Sequence, residues 1–515
     1  MPKRRLSKLN SAYNKNRSSQ ETLGDIKAST ANVTQKNDLE NSKRNKGTKT
    51  AANARVEKRR ADNSTLRQTL KYSQKEALAS SAMTATSDNF FNAFAIYLQA
   101  SMTQLGILTG LPQLFGAIMQ IFSIWLSNYF CRKKIIVYGA VLQSIVLIIM
   151  AVLALLRPTY GIWFFILLVL LHHGLLNLIQ PQWRAWMGSI VPASRRGSFF
   201  AARTRIVMFA SLCVFLAGGA LLTAADKVAL VWLGFASLFL VAAIGRLNSA
   251  WLFSKMVDDQ ASAGKIAFTQ TLVAFKESLQ DPVFKQYSFL VAGLSAMVAI
   301  SAPFFAVYML EHLAFTYLEF VLAGISSIVT QFISLKYWGK FSDKFGNRLV
   351  IMICTGAISV IPVLWLFGDS FIYIVFIQAF SGLWWSGFTL SSANYLYDIR
   401  PHQSNFATYA ATQAALAAVL VFIGSLVGGV IASYANVFNE WSGLSTWLSS
   451  ALFIVFICSS IGRLLVFFYF IPKLHDTGIR QRPKALSLVL RVARFNAISG
   501  INFDWLTVAK KKREK

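Results

Sequence analysis

The chain has 515 residues, of which 55% are hydrophobic and only 14% charged, a composition that excludes an ordinary soluble globular protein and points to a polytopic membrane protein. The formal net charge of +29 gathers at the ends: residues 1–75 hold 19 Lys/Arg against 6 Asp/Glu, and residues 473–515 hold 11 against 3. Basic tails on a membrane domain face an anionic membrane surface or are merely solvated, so nucleic acid is not expected as a partner.

Residues 1–76 are rich in Lys, Arg, Asn, Ser and Thr and poor in large apolar residues. They bury too little to repay ordering and read as a disordered basic tail. Apolar segments long enough to cross a bilayer follow near 77–100, 104–128, 134–156, 160–188, 199–223 and 228–254, then near 286–310, 317–339, 349–368, 371–397, 406–434 and 446–471. The reading is an all-α membrane protein with twelve transmembrane helices in two six-helix bundles, residues 77–255 and 286–473. Between them, residues 256–285 form a linker in which Ile266–Leu279 reads as an amphipathic surface helix. Residues 474–515 form a second basic tail, and its stretch Lys484–Ile498 has the pattern of a helix lying on anionic inner-leaflet lipids. The cysteines Cys131, Cys213, Cys354 and Cys458 form no CxxC pair, so neither zinc nor a disulfide framework is expected.

The apolar region is written twice. Phe94-Ala95-Ile96-Tyr97 returns as Phe305-Ala306-Val307-Tyr308, Trp125 as Trp338, and Ile244-Gly245-Arg246-Leu247 as Ile461-Gly462-Arg463-Leu464. In a membrane chain, paired halves mark a transporter whose site lies between them. The repeat also settles the first span. Hydropathy alone starts it near Phe90, but the offset from span seven places the polar stretch Ser80–Asn89 inside it, with Asp88 opposite Ala299 and near the middle of the membrane. Basic residues in the loops fall on one side: Arg132, Lys133, Lys134, Arg195, Arg196, Lys255, Lys265, Lys276, Lys340, Lys344, Arg348 and Arg400, against Arg157 and Lys227 on the other. Both termini are therefore expected in the cytoplasm.

The loop joining spans eight and nine reads Gly339-Lys340-Phe341-Ser342-Asp343-Lys344-Phe345-Gly346-Asn347-Arg348. Gly339, Asp343, Gly346 and Arg348 match the G-x-L-a-D-r-x-G-r-k loop, so the region 77–473 resembles the major facilitator superfamily. The equivalent loop between spans two and three is weaker, with Asn128 at the aspartate position, Cys131 at the second glycine, and Arg132 following. The resemblance implies two pseudo-symmetric bundles that rock about a central site, a gating latch at Asp343, and a cavity between spans one, four, seven and ten. It also implies a bacterial inner (plasma) membrane location. The proline-containing antiporter motif of drug-efflux relatives is missing from Phe215–Ala220 of span five.

The strongest candidates break the repeat. Asp88 faces an alanine, and His172 and His173 of span four correspond to Ser381 and Gly382. Buried carboxylates and imidazoles are costly unless paired, hydrated or used. Asp88 is expected to couple transport to protons or another cation, with His173 as its partner or a second proton site; His172 belongs to the same coupling set, although taken alone it reads as a packing histidine. On the fold that the resemblance implies, Asn89, Asn92, Asn177, Gln180, Gln378, Trp384 and Trp385 line the cavity and meet a small organic solute. Arg246 and Arg463 occupy matching places and read as structural pairing or snorkelling. No GxSxG, Walker loop, HExxH or carboxylate dyad is present, so neither an enzyme nor an ATP-driven pump is expected, and no cofactor. Two other classes stay open: a non-transporting receptor or assembly factor, and a lipid flippase. A lateral opening lined by apolar groups would favour lipid.

Overall fold

The computed structural model describes residues 66–156, 161–191, 196–257, 275–399, 406–441 and 450–475. The chain divides into two units, Met1–Lys71 and Tyr72–Lys515. The described residues of the first unit, 66–71, are helical. Most of both basic tails, most of the linker helix expected at Ile266–Leu279 and all of the expected helix Lys484–Ile498 lie outside the described residues.

The second unit is helical throughout its spans. Residues 72–86 form α1. It gives way to a 3-10 turn at Asp88–Phe90 and then α2 (Phe91–Tyr97). The rest of the first half is α3 (Met102–Leu126), α4 (Arg132–Leu156), α5 (Gly161–Ile190), α6 (Arg196–Lys227) and α7 (Val231–Lys255). The second half is α8 (Pro282–Val307), continued by a π turn at Tyr308–His312, then α9 (Tyr317–Phe345), α10 (Asn347–Leu364), α11 (Phe371–Ile399), α12 (Phe406–Trp441) and α13 (Leu452–Phe470). Eleven helices among the described residues are long and apolar enough to cross a membrane. The broken pair α1–α2 supplies the twelfth span, so the protein is an all-α membrane protein of two six-helix bundles.

Local chemistry explains where several helices begin and bend. Ser101 accepts from the Gln104 N–H while the Gln104 side chain accepts from the Ser101 N–H, a reciprocal cap at the start of α3. Thr316 and Glu319 repeat that cap at the start of α9. Asp281 caps α8 ahead of Pro282, so span seven begins four residues before the expected 286. In α1 the hydroxyls turn back on their own helix: Thr86 Oγ1 donates to the Ala82 carbonyl at 2.8 Å and Ser87 Oγ to the Met83 carbonyl at 2.7 Å. Such back-bonding bends helices and favours a break.

The repeat survives as packing. Phe94 meets Phe239 at 5.2 Å between ring centroids, and their counterparts Phe305 and Phe456 meet at 4.6 Å. Both repeated arginines are buried, at 2% and 3% exposure, so neither snorkels to an interface. Arg463 donates to the Ile358 carbonyl at 3.0 Å and Ser301 Oγ at 2.9 Å. Arg246 donates to Ser249 Oγ, which donates in turn to Glu76, and Glu76 pairs with Arg203. Arg203 also stacks over Trp183 at 4.4 Å. Span one therefore starts before the expected residue 77: Glu76 is accommodated inside the bundle because it has an arginine and a hydroxyl to bond.

Small residues let α12 approach its neighbours. A Cβ on Gly424 would fall 2.2 Å from the Ala296 carbonyl oxygen, and one on Gly428 2.2 Å from that of Ile300. A Cβ on Gly188 would meet nothing within 4 Å. Gly424→Ala should therefore lower the thermal stability of the detergent-solubilised protein, at an overpacking cost of about 1–3 kcal/mol. Gly188→Ala should leave the melting temperature unchanged or raise it. Equal melting temperatures for the two variants would show that the α8–α12 crossing is looser than described.

Candidate functional site

The site is built on the break in span one. The two half-helices leave Asp88 at their junction, among Phe90 and Phe91, which pack on Phe215 and Phe165. Asp88 Oδ1 lies 3.0 Å from His172 Nε2 and 3.1 Å from Ser87 Oγ. The His172 side chain is wholly buried, whereas Asp88 keeps 24% of its surface. Gln143 of α4 closes the far side of the imidazole: its Nε2 donates to the His172 carbonyl at 3.2 Å and lies 3.4 Å from both ring nitrogens. Phe91 packs edge-on against His172 at 5.4 Å and His173 at 6.0 Å. The arrangement is a carboxylate and an imidazole sharing one hydrogen bond in an aromatic wall, with the carboxylate alone reachable.

His172 is the partner of Asp88, and the expected pairing with His173 is corrected. Adjacent residues on a helix point about 100° apart, so only one of two neighbouring histidines can face α1. His173 is half-buried, and its carbonyl accepts from Asn177 Nδ2 at 2.8 Å.

The other expected cavity residues divide into those engaged in packing and those left open. Asn177 also accepts from Gln120 Nε2 at 2.7 Å, and a Cβ on Gly116 would fall 2.5 Å from its amide nitrogen. It bridges spans two and four. Gln180 accepts from Arg184 on its own helix at 3.1 Å. Asn89 is exposed and Asn92 half-buried, one and four residues from Asp88. On α11, Gln378 and Trp385 are half-buried. Trp384 is buried between Trp338 and Phe380, and its indole N–H has no acceptor among the described residues. No hydrogen bond among the described residues joins these α11 groups to Asp88.

The loop between spans eight and nine holds a second difference. Asp343 is exposed in the last turn of α9, while Gly346 ends that helix at φ +88°, a conformation that glycine adopts without strain. The carboxylate that meets the head of α10 is Asp398 of α11, which accepts from Asn347 Nδ2 at 2.7 Å. Arg348, the next residue along α10, is half-buried. A Cβ on Gly339 would find ordinary contact, 3.8 Å from Leu390, so no close approach requires that glycine. Across the chain, Asn128 and Arg132 are half-buried at the facing turn of spans two and three.

The halves are joined at the end that carries the 98–101 turn. Thr103 Oγ1 and Ser433 Oγ lie 2.9 Å apart between α3 and α12, and the Leu318 N–H donates to Thr223 Oγ1 at 2.8 Å between α9 and α6. Close approaches reinforce both seams: a Cβ on Gly110 would overlap Ser425 Oγ at 1.8 Å, and one on Gly219 would lie 2.7 Å from Val321.

The family model described as Major Facilitator Superfamily matches residues 77–337 and 288–509. The chain belongs to the major facilitator superfamily and is a multi-pass integral membrane protein of the secondary-transporter class. Among solved structures it is similar to the nucleoside transporter NupG (D323A mutant), at 14% identity and TM-score 0.58, covering 80% of this chain and 100% of that one. It is also similar to the xylose transporter XylE from E. coli in a partially occluded inward open conformation, at 14% identity and TM-score 0.57, covering 82% and 100%. A third likeness is to a bacterial homolog of the human lysosomal transporter Spinster, at 14% identity and TM-score 0.52, covering 80% and 94%. At these identities the likeness is one of fold. No curated protein matches the sequence significantly.

A chain carrying Thr103→Cys and Ser433→Cys should form a disulfide on mild oxidation in native membranes, detected as an electrophoretic shift that reductant reverses. Failure to cross-link would place the α3–α12 seam apart in the membrane.

Proposed function

We propose that this transporter couples the movement of a small organic solute to protons, with Asp88 and His172 as the proton-binding pair. The observation that carries the reading is the 3.0 Å Asp88–His172 hydrogen bond at the break in span one. Irregular backbone at membrane depth is tolerated where it is buried in protein or lines a cavity, and ionisable groups there mark ion pathways. A proton arriving at the reachable carboxylate would weaken its hold on the imidazole. That loosens span one from span four, and the bundles can then exchange the side to which the site opens. The half-buried amides of Asn92 and Gln378 supply polar contacts for a solute.

The positive-inside pattern puts the 98–101 turn outside the cytoplasm, so the joined seams seal the external face and the site opens inward. In that state Asp343 has no hydrogen bond or ion pair among the described residues. It is free to act as a latch when the cytoplasmic face closes. The reading places the protein in a bacterial inner membrane with both termini inside. It requires no cofactor and no catalytic step.

Two measurements test this. Asp88→Asn keeps the shape of the protonated side chain and removes its charge. In vesicles screened with candidate solutes it should abolish accumulation driven by an imposed pH gradient and spare exchange down the solute's own gradient. His172→Gln should change the pH dependence of uptake, and His173→Gln should change it less. Accumulation by Asp88→Asn at a normal pH profile would make the pair structural. For orientation, Cys131 is exposed in the turn between α3 and α4. In a variant retaining only that cysteine, a membrane-impermeant maleimide should label it in inverted vesicles and not in intact cells. Labelling from outside would reverse the topology.

A further inference from the structure

Spans five and eight touch and then part. They meet where Gly219 faces Val321 and where Phe215 faces Gly324. Towards the end that carries the charged loops they diverge and leave a groove of about 550 Å3, including its open mouth. Its walls are Met208, Phe209 and Leu212 of α6 and Ile328, Val329 and Phe332 of α9, with Arg205 at its edge. Phe209 is 70% exposed and Phe332 55%, so the groove opens sideways and not into the core of either bundle.

The charges on the two walls are placed alike. On α6 (Arg196–Lys227) Arg205 lies nine residues, about 13.5 Å, from the helix end at the charged loops, and on α9 (Tyr317–Phe345) Lys336 lies nine residues from the corresponding end. Phe209 and Leu212 follow about 6 and 10 Å deeper. On the antiparallel α9, Lys336 follows Phe332 by four residues and therefore lies one turn nearer the charged end on the same face. Arg205 and Lys336 are both without a hydrogen-bond or ion-pair partner among the described residues. Arg203, two residues earlier, differs: it is committed to Glu76. Two cations, uncommitted among the described residues, therefore stand at matching positions on the charged-loop side of an apolar trough.

We propose that this groove binds one anionic phospholipid of the adjacent leaflet, its phosphate held by Arg205 and Lys336 and an acyl chain lying between Phe209 and Phe332. Long basic side chains near a span end reach the interface and attract anionic headgroups. A chain seated there fills the space that α6 and α9 must close when the bundles rock, so the bound lipid favours the state in which these helices are apart. A sideways apolar opening is the feature that would favour lipid as cargo; none of its walls belongs to the Asp88–His172 site, so the proposal takes the lipid as a resident ligand, and it does not depend on proton coupling.

The test uses the full chain in nanodiscs, with the four native cysteines replaced and a thiol-reactive fluorophore on Phe332→Cys. Brominated phosphatidylglycerol and brominated phosphatidylcholine with identical acyl chains are titrated as quenchers. The anionic lipid should reach half-quenching at a mole fraction lower by at least about fivefold, the effect of one basic residue at an anionic surface. Arg205→Gln with Lys336→Gln should remove that preference. A reporter at Leu142→Cys, on a lipid-facing surface of α4, should show none. Native mass spectrometry of the unlabelled protein in an equal mixture of the two lipids gives an independent reading: enriched phosphatidylglycerol adducts, lost in the double variant. Equal quenching by both lipids, or a preference that persists without the two cations, would make the groove ordinary lipid-facing surface and overturn the proposal.

Discussion

The hydrocarbon core offers a polypeptide no water, so every backbone N–H and C=O within it must find a partner inside the protein. Among the described residues, eleven spans meet that demand as continuous helices. The first does not. Its ladder is interrupted at Ser87–Phe90, where the Phe90 N–H turns to the Ser87 carbonyl at 2.9 Å and Ser87 itself reaches back to Met83. Such an interruption is stable only when walled in by protein, and here the wall is Phe165, Phe215 and His172. The arrangement of the first bundle follows from shielding that junction, and the site sits there for the same reason.

The two halves make the point by comparison. Where the first half has Asp88 the second has Ala299, and α8 runs through that position without a break. Aromatic pairs and the buried arginine recur in both halves because they serve packing, which both bundles need. Among the described residues, the carboxylate with its histidine at an interrupted helix occurs once. In the second half Arg463 reaches a backbone carbonyl and Ser301 directly. In the first, Arg246 acts through Ser249 on a chain that ends at Glu76 and Arg203. The first bundle thus carries most of the internal charge, and the second presents an apolar partner against which it can move.

Much of this was legible from residue order. The offset between repeats was enough to put Ser80–Asn89 inside a span that hydropathy rejects, and α1 runs through those residues to 86. Choosing between His172 and His173 was beyond it, because that depends on the rotation of α5 about its axis, which neighbouring helices set. Asp343 drew notice through its motif, whereas Asp398, which actually meets α10, sits 55 residues later with no local signature. From residue order alone Glu76 reads as the end of a polar tail, because its partners are 127 and 173 residues away. The reciprocal caps at Ser101–Gln104 and Thr316–Glu319 were visible as S-x-x-Q and T-x-x-E and would have sharpened two helix starts.

Those long separations bear on biogenesis. Span one leaves the ribosome carrying Glu76 and Asp88, each expensive in lipid, and its sealing partners do not yet exist. His172 arrives with span four, Arg203 with span five and Ser249 with span six. Until then the first helix has no reason to stay in hydrocarbon, and its stable home is the protein-lined vestibule of the insertion machinery. The bundle is therefore expected to leave that machinery as a group after span six emerges, and a nascent chain truncated before Arg203 should remain bound there.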